Sequence, residues 1–560
     1  MSRNRSRTLG TTPVDDDDFD FDWIVIVSGF GGSVAALRLT EKGYRVAVVE
    51  RGRRYADEEL PASASDHRRF LWAPAFGLRG IMRNTLFPHV FSSSQTGVGG
   101  GSLVYGGVLF RAQPGFYADA QWRDLADWEE KLAPHYVNAE RMLGVQTVPW
   151  ESVTMGLTQE VAEHFGSSRD LALAPVGVFF GEPGKTVPDP YFGGEGPDRT
   201  GCIRCGECMT GCRVGAANRL TKNYLWFAEK RGAQVIAERE VVDVVALGDG
   251  DGKDGYAVAT RRPGARLRGK AQTLTARGVV FAAGTVSTNE LLANCKHRGS
   301  LPRISDRLGA VVRTNSETVL TVLLPEDVET WRDVTASSRV VLDGDTQIEF
   351  LTYGRNGDFM RLLFTLLTGP GTRSRRIARW ASNLLRNPGR WAATLRSDWS
   401  RRTVMMLVMQ ARDNAIAFVP VKRNFGKGYR LTTRPDDERP APAHIEIGHQ
   451  VATWLAQRTG GIAQSSIFEA LGNRPMTAHM LGGAAIGADT ETGVVDANLN
   501  VFGYQNMIVC DGAALPANPG VNPALTITAL AEYSMERVPN AGVNPRRKPR
   551  SRELGEYEHD

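Results

Sequence analysis

The stretch WIVIVSGFGGSVAALRLTEKGYRVAVVERG, residues 23–52, decides the fold class. The apolar run 23–27 predicts a buried parallel strand, a small-residue helix follows over 34–40, and 45–49 predicts the next strand. Glu50 closes that second strand and completes a βαβ unit of the dinucleotide-binding kind. In such a unit glycines let backbone N–H groups approach a diphosphate, and the acid accepts hydrogen bonds from ribose hydroxyls.

The glycine fingerprint of this unit is incomplete. Gly29 and Gly32 stand at the expected spacing, but Val27 occupies the first position, where glycine serves the tight turn. A β-branched residue tolerates few backbone conformations. The context therefore predicts a dinucleotide-binding fold, and a domain that has lost tight cofactor binding stays the alternative.

Strand–glycine–helix patterns return far along the chain. A glycine cluster occupies 97–102, and the apolar run 279–283 precedes Gly284 and a helical stretch at 287–293. Near the C-terminus the strand 507–509 leads to Asp511-Gly512 and to a helix that runs to about residue 537. At its start Asn522 suits the N-cap position, and Pro523 suits the first helical position. Separated segments are thus expected to build one α/β domain.

Further motifs accompany residues 23–52 in a fixed order. They are GVGGGSLVYGG from Gly97, VVFAAGT from Val279, MTAHMLGGAAIG from Met476 and VCDGAALPANPGVNPALTITALAE from Val509. Together they resemble the glucose–methanol–choline (GMC) oxidoreductases, and their cholesterol-oxidase-like branch in particular. The resemblance covers about residues 20–540 and extends to GKTVPDPYFGGEGPDRTGC and FLWAP.

The resemblance implies an α/β fold with two parts. These are an FAD-binding Rossmann-type domain of discontinuous segments and an inserted α+β substrate-binding domain. The expected boundaries are a flexible leader at 1–20, the FAD-binding domain at 21–125, 200–314 and 466–540, the substrate-binding domain and cap at 126–199 and 315–465, and a tail at 541–560.

The resemblance also implies FAD rather than a nicotinamide. Gly29, Gly32 and Glu50 would hold its ADP half, and the helix at Asn522-Pro523 would aim its positive end at the ring, which gains negative charge on reduction. Tyr105 stands where some relatives carry Asn. The expected cofactor-binding residues are Gly29, Phe30, Gly31, Gly32, Glu50, Gly97, Gly99, Gly100, Gly101, Ser102, Ala283, Gly284, Asp511, Gly512, Asn522 and Pro523.

The expected catalytic residues are His479, Asn522 and Glu349. A neutral imidazole suits removal of a hydroxyl proton near neutral pH, and the setting AHMLGG of His479 matches the family's histidine motif. By the same resemblance Asn522 orients the hydroxyl, and Glu349 moves the ring double bond of a steroid product. The alternation around Gln347 and Glu349 predicts a strand with both side chains on one face. An ordinary, solvent-facing strand glutamate is the alternative.

These residues predict FAD-dependent oxidation of a bulky apolar secondary alcohol, above all a 3β-hydroxysteroid. A GMC dehydrogenase of a non-steroid alcohol is one alternative. A flavin-poor sterol-binding or electron-transfer protein is another, because Val27 interrupts the fingerprint.

Four cysteines form the run Cys202-x2-Cys205-x2-Cys208-x3-Cys212. This spacing is typical of bacterial-ferredoxin-type iron–sulfur sites and predicts a [4Fe–4S] cluster. Arg213 follows where ferredoxins carry Pro. A cluster would favour a dehydrogenase that feeds an acceptor protein or a quinone over a simple oxidase.

Two alternatives stay open for these cysteines, namely structural zinc and unliganded thiols. The fourth ligand is also open, since Cys295 or Cys510 could complete a cluster in place of Cys212.

Composition narrows the function classes. Charged residues make up 23%, hydrophobic residues 42%, and the formal net charge is +5, which excludes a dedicated nucleic-acid-binding protein. No apolar run is long enough to span a bilayer, and no Sec-type signal is visible at the start. With a clustered cysteine pattern, a cytoplasmic location is expected.

Residues 355–402 hold eleven Arg, two acids and three Trp. Such a segment predicts peripheral contact with the anionic inner face of a membrane. The alternative is a helical cap with a solvated Arg face and Trp side chains in the core.

Overall fold

The computed structural model describes residues 19–264, 271–424 and 428–542. The expected leader and tail lie outside these residues, apart from 19–20 and 541–542.

The predicted βαβ unit forms the centre of a seven-stranded sheet. Phe21–Ile26 pairs in parallel with Val46–Val49 on one side and with Gln272–Phe281 on the other. Gln234–Ile236 and Met507–Val509 extend this parallel part, so strands from three distant segments meet, as predicted. Two antiparallel strands, Tyr256–Arg261 and Glu240–Ala246, complete the sheet beyond Gln272–Phe281.

The helix of the βαβ unit spans Phe30–Glu41 and begins earlier than the predicted residue 34. It starts inside the glycine turn because glycine alone fits there. A Cβ on Gly31 would lie 1.5 Å from the carbonyl oxygen of Cys510, and one on Gly32 would lie 2.1 Å from that of Val27. The helix therefore packs unusually close to two strand ends.

A buried ion pair joins this helix to the last one, Ala524–Glu536. The Arg38 guanidinium donates to both carboxylate oxygens of Glu532 at 2.7 Å, and the Tyr224 hydroxyl donates to the same carboxylate at 2.6 Å. Three helices are thus held in one register around the dinucleotide turn.

A second seven-stranded sheet is built from the irregular middle of the chain. Its strands follow the order Phe364–Leu366, Ile462–Ser466, Thr318–Leu323, Thr403–Gln410, Thr346–Leu351, Ala336–Leu342 and Leu171–Leu173, all antiparallel. Side chains of one face, such as Leu320, Ile348 and Met406, pack under the helices Val153–His164 and Glu446–Thr459. The alternate residues of the same strands face a cavity.

Smaller elements link the two large sheets. A four-stranded sheet of Tyr429–Pro435, Ile416–Lys422, Val312–Arg313 and Leu481–Gly482 combines strands from both expected domains, whose boundaries stay a prediction. The other strands are Met476–Thr477 with Phe91–Gln95 and Met82–Leu86, Thr186–Val187 with Arg199–Thr200, Trp72–Ala73 with Leu78–Arg79, and Gln146–Thr147 with Pro175–Val176. The other α-helices are His67–Phe70, Pro114–Tyr117, Trp128–Met142, Tyr224–Lys230, Thr285–Arg298, Arg373–Arg386, Pro388–Ala393, Trp399–Arg402 and Ile467–Gly472.

The basic segment 355–402 mixes buried anchors with exposed apolar side chains. Trp399 is 1% exposed and Arg376 is fully buried, whereas Leu385 is 82% exposed and Leu362 is 53% exposed. The buried Trp399 agrees with a cap, and the exposed leucines leave the membrane contact a prediction. Across residues 19–264, 271–424 and 428–542, the helices are too short or too polar to cross a membrane.

Candidate active site

A cavity of about 340 Å³ is lined by side chains of the second seven-stranded sheet and by the turns that follow strands of the first. Its size lies in the range of small-molecule sites. The sequence-predicted residues that line it are Gly29, Phe30, Gly31, Gly100, Gly101, Ala283, Gly284, Glu349, His479, Asp511, Gly512, Asn522 and Pro523.

The remaining predicted cofactor residues, Gly32, Glu50, Gly97, Gly99 and Ser102, lie behind this lining. Glu50 is fully buried, and its carboxylate accepts from the Ser28 hydroxyl at 2.9 Å and from the Gly52 N–H at 2.8 Å. The same Ser28 hydroxyl accepts from the Gly99 N–H at 3.0 Å. Glu50 thus ties the two glycine turns together, and its contact with a ribose stays a prediction.

The two glycine turns fit a flat, extended cofactor. A Cβ on Gly100 would lie 2.6 Å from the Cα of Gly29, so the two turns pack directly against each other, and together they present backbone to the cavity. Opposite, the buried Asp511 carboxylate accepts from the Gly284 N–H at 2.8 Å and from the Thr288 hydroxyl at 2.6 Å. Burial raises the pKa of Asp511 to about 6. The arrangement suits the FAD that the resemblance implies.

Val27 adopts a backbone conformation that favours glycine. Its φ is 78°, in the left-handed region, while its N–H still donates to Val49 at 2.9 Å. A β-branched residue at positive φ is strained. Val27 therefore holds the turn in a conformation that glycine would adopt without strain.

Replacing Val27 by glycine is expected to stabilise the protein and to raise its flavin content. Relief of about 1–3 kcal/mol of strain outweighs the roughly 0.5–1 kcal/mol that glycine costs in chain entropy. Thermal unfolding of the flavin-free protein and flavin per chain after purification measure the two effects. Val34→Gly, in the middle of the following helix, is the control and should destabilise. Equal Tm and full flavin in wild type and Val27→Gly would contradict the prediction.

His479 is paired with a carboxylate that the sequence did not reveal. Its Nδ1 donates to Oε2 of Glu317 at 2.7 Å, and the Thr477 hydroxyl donates to the same oxygen at 3.0 Å. Burial lowers the pKa of His479, but the Glu317 and Glu349 carboxylates outweigh that effect and raise it above 6.5. Since a carboxylate only accepts, Nδ1 carries the proton and Nε2 is left as the proton acceptor.

Glu349 lies fully buried on the strand Thr346–Leu351. Gln347 shares its face, as predicted, and donates to Oε1 of Glu349 at 2.5 Å. Gln347 in turn accepts from Arg339 at 2.5 Å. Burial raises the pKa of Glu349 to about 7 against the opposing effects of His479, Gln347 and Asn522. The solvent-facing alternative is therefore wrong.

The expected N-cap role of Asn522 is also wrong. The helix begins at Ala524, with Pro523 in the capping position and no side-chain cap. With its nitrogen turned towards Glu349, the Asn522 amide donates to Oε1 at 2.6 Å and to Oε2 at 3.2 Å. A hydrogen bond to a charged acceptor is stronger than one to a neutral group, so the Asn522 amide points into the cavity towards Glu349 and not towards the helix.

The rest of the cavity is apolar. Side chains from the second sheet and from residues 359–363 cover the space in front of Glu349 and His479. They include Val319, Leu351, Met360, Leu363, Met405 and Leu407. The site therefore suits a hydrophobic molecule that presents one polar group to His479, Asn522 and Glu349.

The four clustered cysteines line a second, small cavity together. All four are free thiols, with neighbours that include Val178, Ala216 and Asp333. Cys295 and Cys510 lie outside this cavity. The Cys295 thiol donates to the Asp243 carboxylate at 3.3 Å, and Cys510 packs against Gly31.

Another buried cluster joins His444, His449 and Glu469. The Glu469 carboxylate is already shared, since His449 lies 2.7 Å away, Arg376 donates at 3.2 Å and Thr318 donates at 2.9 Å. The positive charge of Arg376, which donates to the same Glu469 oxygen as His449, would repel a metal ion. We therefore assign this cluster to the packing of the second sheet.

Sequence reasoning missed Glu317, Arg339 and Thr477. Glu317 directly precedes the strand Thr318–Leu323, and it lines the cavity on the same face as Val319. An acid at an apolar position of an alternating strand is the signal that could have found it.

Two family models described as GMC oxidoreductase match residues 80–308 and 449–531. Together with the fold and the glycine turns, they show that the chain belongs to the GMC oxidoreductase family, with its FAD-binding fold.

Individual relatives cover almost the whole chain. A cholesterol oxidase of Mycobacterium tuberculosis (strain ATCC 25618 / H37Rv) is 45% identical over 95% of this chain and 93% of its own length. A cholesterol oxidase of Acinetobacter baumannii is 40% identical over 93% of this chain and 95% of its own length. Among solved structures, pyridoxine 4-oxidase from Mesorbium loti aligns with a TM-score of 0.58 at 13% identity, over 92% of this chain and 99% of that one, and supports the fold alone.

Proposed function

We propose that this chain oxidises the 3β-hydroxyl group of a steroid with FAD and then isomerises the ketone product. The observation that supports this most strongly is that His479, Asn522 and Glu349 line one apolar cavity. The dinucleotide turns line the same cavity. The relatives named cholesterol oxidase support the steroid substrate.

His479 is the base of the oxidation in this proposal. Its Nε2 accepts the hydroxyl proton, and Glu317 holds the ring in the tautomer that leaves Nε2 free. Bound FAD supplies the hydride acceptor. Asn522 orients the oxygen, and its hold on Glu349 keeps both polar groups at the same end of the cavity.

Glu349 moves a proton in the second step. A ketone with a neighbouring double bond becomes conjugated when a base removes the proton between them and returns it at the far carbon. A carboxylate with a pKa of about 7 exchanges protons readily at neutral pH. The apolar walls exclude water that would compete for that proton.

The proposal includes an electron acceptor other than dioxygen, either a quinone or an acceptor protein. The four-cysteine loop supports this, since Met209, which follows Cys208, lines the cavity of about 340 Å³, called the flavin cavity below. The proposal also includes peripheral contact of residues 355–402 with the inner face of a membrane. Their Arg side chains match anionic lipids, and Phe359, Met360 and Leu363 of the same segment line the cavity that would receive a sterol.

Anaerobic flavin reduction tests the proposal directly. A 3β-hydroxysteroid should bleach the bound flavin at least ten-fold faster than a long-chain primary alcohol, a terpenol or a sugar, because its bulky apolar ring system suits the apolar lining of the cavity. Delivery of the sterol in anionic vesicles should be faster than delivery in neutral ones. Faster bleaching by another alcohol class would overturn the steroid assignment, and equal rates from both vesicles would overturn the membrane contact.

A further inference from the structure

The loop that carries Cys202, Cys205, Cys208 and Cys212 is folded around a cavity rather than into the core. Arg204, Gly206 and Gly211 have φ values of 56°, 69° and 108°, so the chain turns repeatedly within a few residues. All four thiols line the cavity that these turns enclose. Ordinary packing does not need four free thiols around one space.

A backbone N–H group donates to one of the sulfur atoms. The Arg204 N–H donates to Sγ of Cys202 at 3.4 Å. Such N–H···S bonds stabilise thiolates and tune the potential of iron–sulfur clusters. Val178 and Ala216 make part of the remaining wall apolar, and Glu207 and Asp333 also line the cavity.

The thiols are spread more widely than zinc requires. A tetrahedral zinc site with Zn–S bonds of about 2.3 Å places its sulfurs about 3.8 Å apart. Over the described part of the chain, which contains this loop in full, no three of the four Sγ atoms lie within 4.8 Å of one another. The spread suits a larger inorganic core better than a single ion.

The cysteine loop adjoins the flavin cavity through its neighbouring residues. Met209 follows Cys208 in the chain, and the Thr335 hydroxyl donates to the carbonyl of Gly206 in the loop at 3.4 Å; both residues line the flavin cavity. Tyr105 also lines it. The ring of Tyr105 meets Phe30 of the dinucleotide turn edge-on at 5.4 Å. Residues directly beside the cysteine loop therefore reach the flavin cavity.

We propose that Cys202, Cys205, Cys208 and Cys212 hold a [4Fe–4S] cluster that accepts electrons from the reduced flavin. In each turnover the alcohol gives two electrons and a proton to the flavin as hydride and one proton to His479. The flavin then passes the two electrons singly to the cluster and releases its proton to solvent. A quinone or an acceptor protein takes each electron in turn. The electron transfer from flavin to cluster rests on the proposed function, whereas the binding of a cluster by the four cysteines does not.

Metal analysis of the whole chain, purified without oxygen, tests the site. We expect about four iron and four sulfide per chain, with an EPR signal after dithionite reduction. Cys205→Ser and Cys208→Ser should lose that iron and the signal. Cys295→Ser, a buried thiol outside the loop, should keep both. Zinc in place of iron, or no iron even after incubation with ferrous iron and sulfide, would overturn the proposal.

A second measurement separates the relay from the steroid chemistry. With ferricyanide as the one-electron probe, Cys208→Ser should lose at least ten-fold in turnover, while flavin reduction by the alcohol stays unchanged. Unchanged ferricyanide turnover would overturn the relay. If the serine variants do not fold, substrate-driven appearance of the EPR signal in the wild type decides the relay instead. Failure of the steroid assignment would appear in the flavin reduction alone and leave the iron content as expected.

Discussion

Replacing His479 by alanine is expected to lower the rate of flavin reduction by the alcohol by about 100- to 10,000-fold. The substitution removes Nε2, the proton acceptor that Glu317 leaves free, and no second base lies at its position. The flavin content should not change, since the dinucleotide turns are made by other residues. Rapid-mixing absorbance without oxygen measures the rate, and the flavin spectrum measures the content.

A histidine outside the cavity provides the control for this variant. His297 stacks on Tyr429 at 4.4 Å between ring centroids, and His297→Ala should reduce flavin at the wild-type rate. Retained turnover in His479→Ala would remove His479 from the mechanism. Loss of flavin from the same variant would show a role in binding instead.

The pH dependence of the same rate identifies the partner of His479. The neutral imidazole is the active base, so the rate should fall as the pH drops through the raised pKa of His479. Glu317→Gln removes one of the charges that raise this pKa, so the acid limb should move to lower pH. The plateau rate should also fall, because a weaker base accepts the proton less readily. An unmoved acid limb would contradict the pairing.

The dinucleotide-binding half of the fold could be predicted because its signals are local. Continuous apolar runs mark buried parallel strands, and glycines mark the turns between strand and helix. The prediction erred at the helix start, since Gly31 and Gly32 look like a loop in sequence but lie within the helix Phe30–Glu41. The need for glycine at position 31 comes from the close approach of the Cys510 carbonyl, and Cys510 lies near the other end of the chain.

The second sheet was not visible in the sequence for the opposite reason. Its central strands, Thr318–Leu323 and Thr403–Gln410, pair across about eighty residues, so no turn signal fixes their register. That strand pairing places Glu317 beside His479. Asn522 likewise fits an N-cap by residue type, and only the buried carboxylate of Glu349 redirects its amide. Site residues without a motif depend on such long-range contacts.

Replacing Glu349 by glutamine is expected to separate the two proposed reactions. Glutamine keeps the size and the hydrogen bonds of the side chain but cannot take up a proton. Isomerisation should therefore fall by about 100- to 10,000-fold, while flavin reduction by the steroid changes much less because His479 is still present. The unconjugated ketone should accumulate, and its lack of the ultraviolet absorption of a conjugated ketone makes the loss measurable.

The pH dependence sharpens this test. The ionised carboxylate is the base, and burial raises the pKa of Glu349 to about 7, so isomerisation in the wild type should increase as the pH rises through about 7. Glu326→Gln, on an exposed loop away from the cavity, is the matched control and should leave both reactions unchanged. Conjugated product formed at the wild-type rate by Glu349→Gln would assign the proton transfer to another group. Equal loss of both reactions would instead place Glu349 in the oxidation, where its contact with Asn522 would orient the hydroxyl for His479.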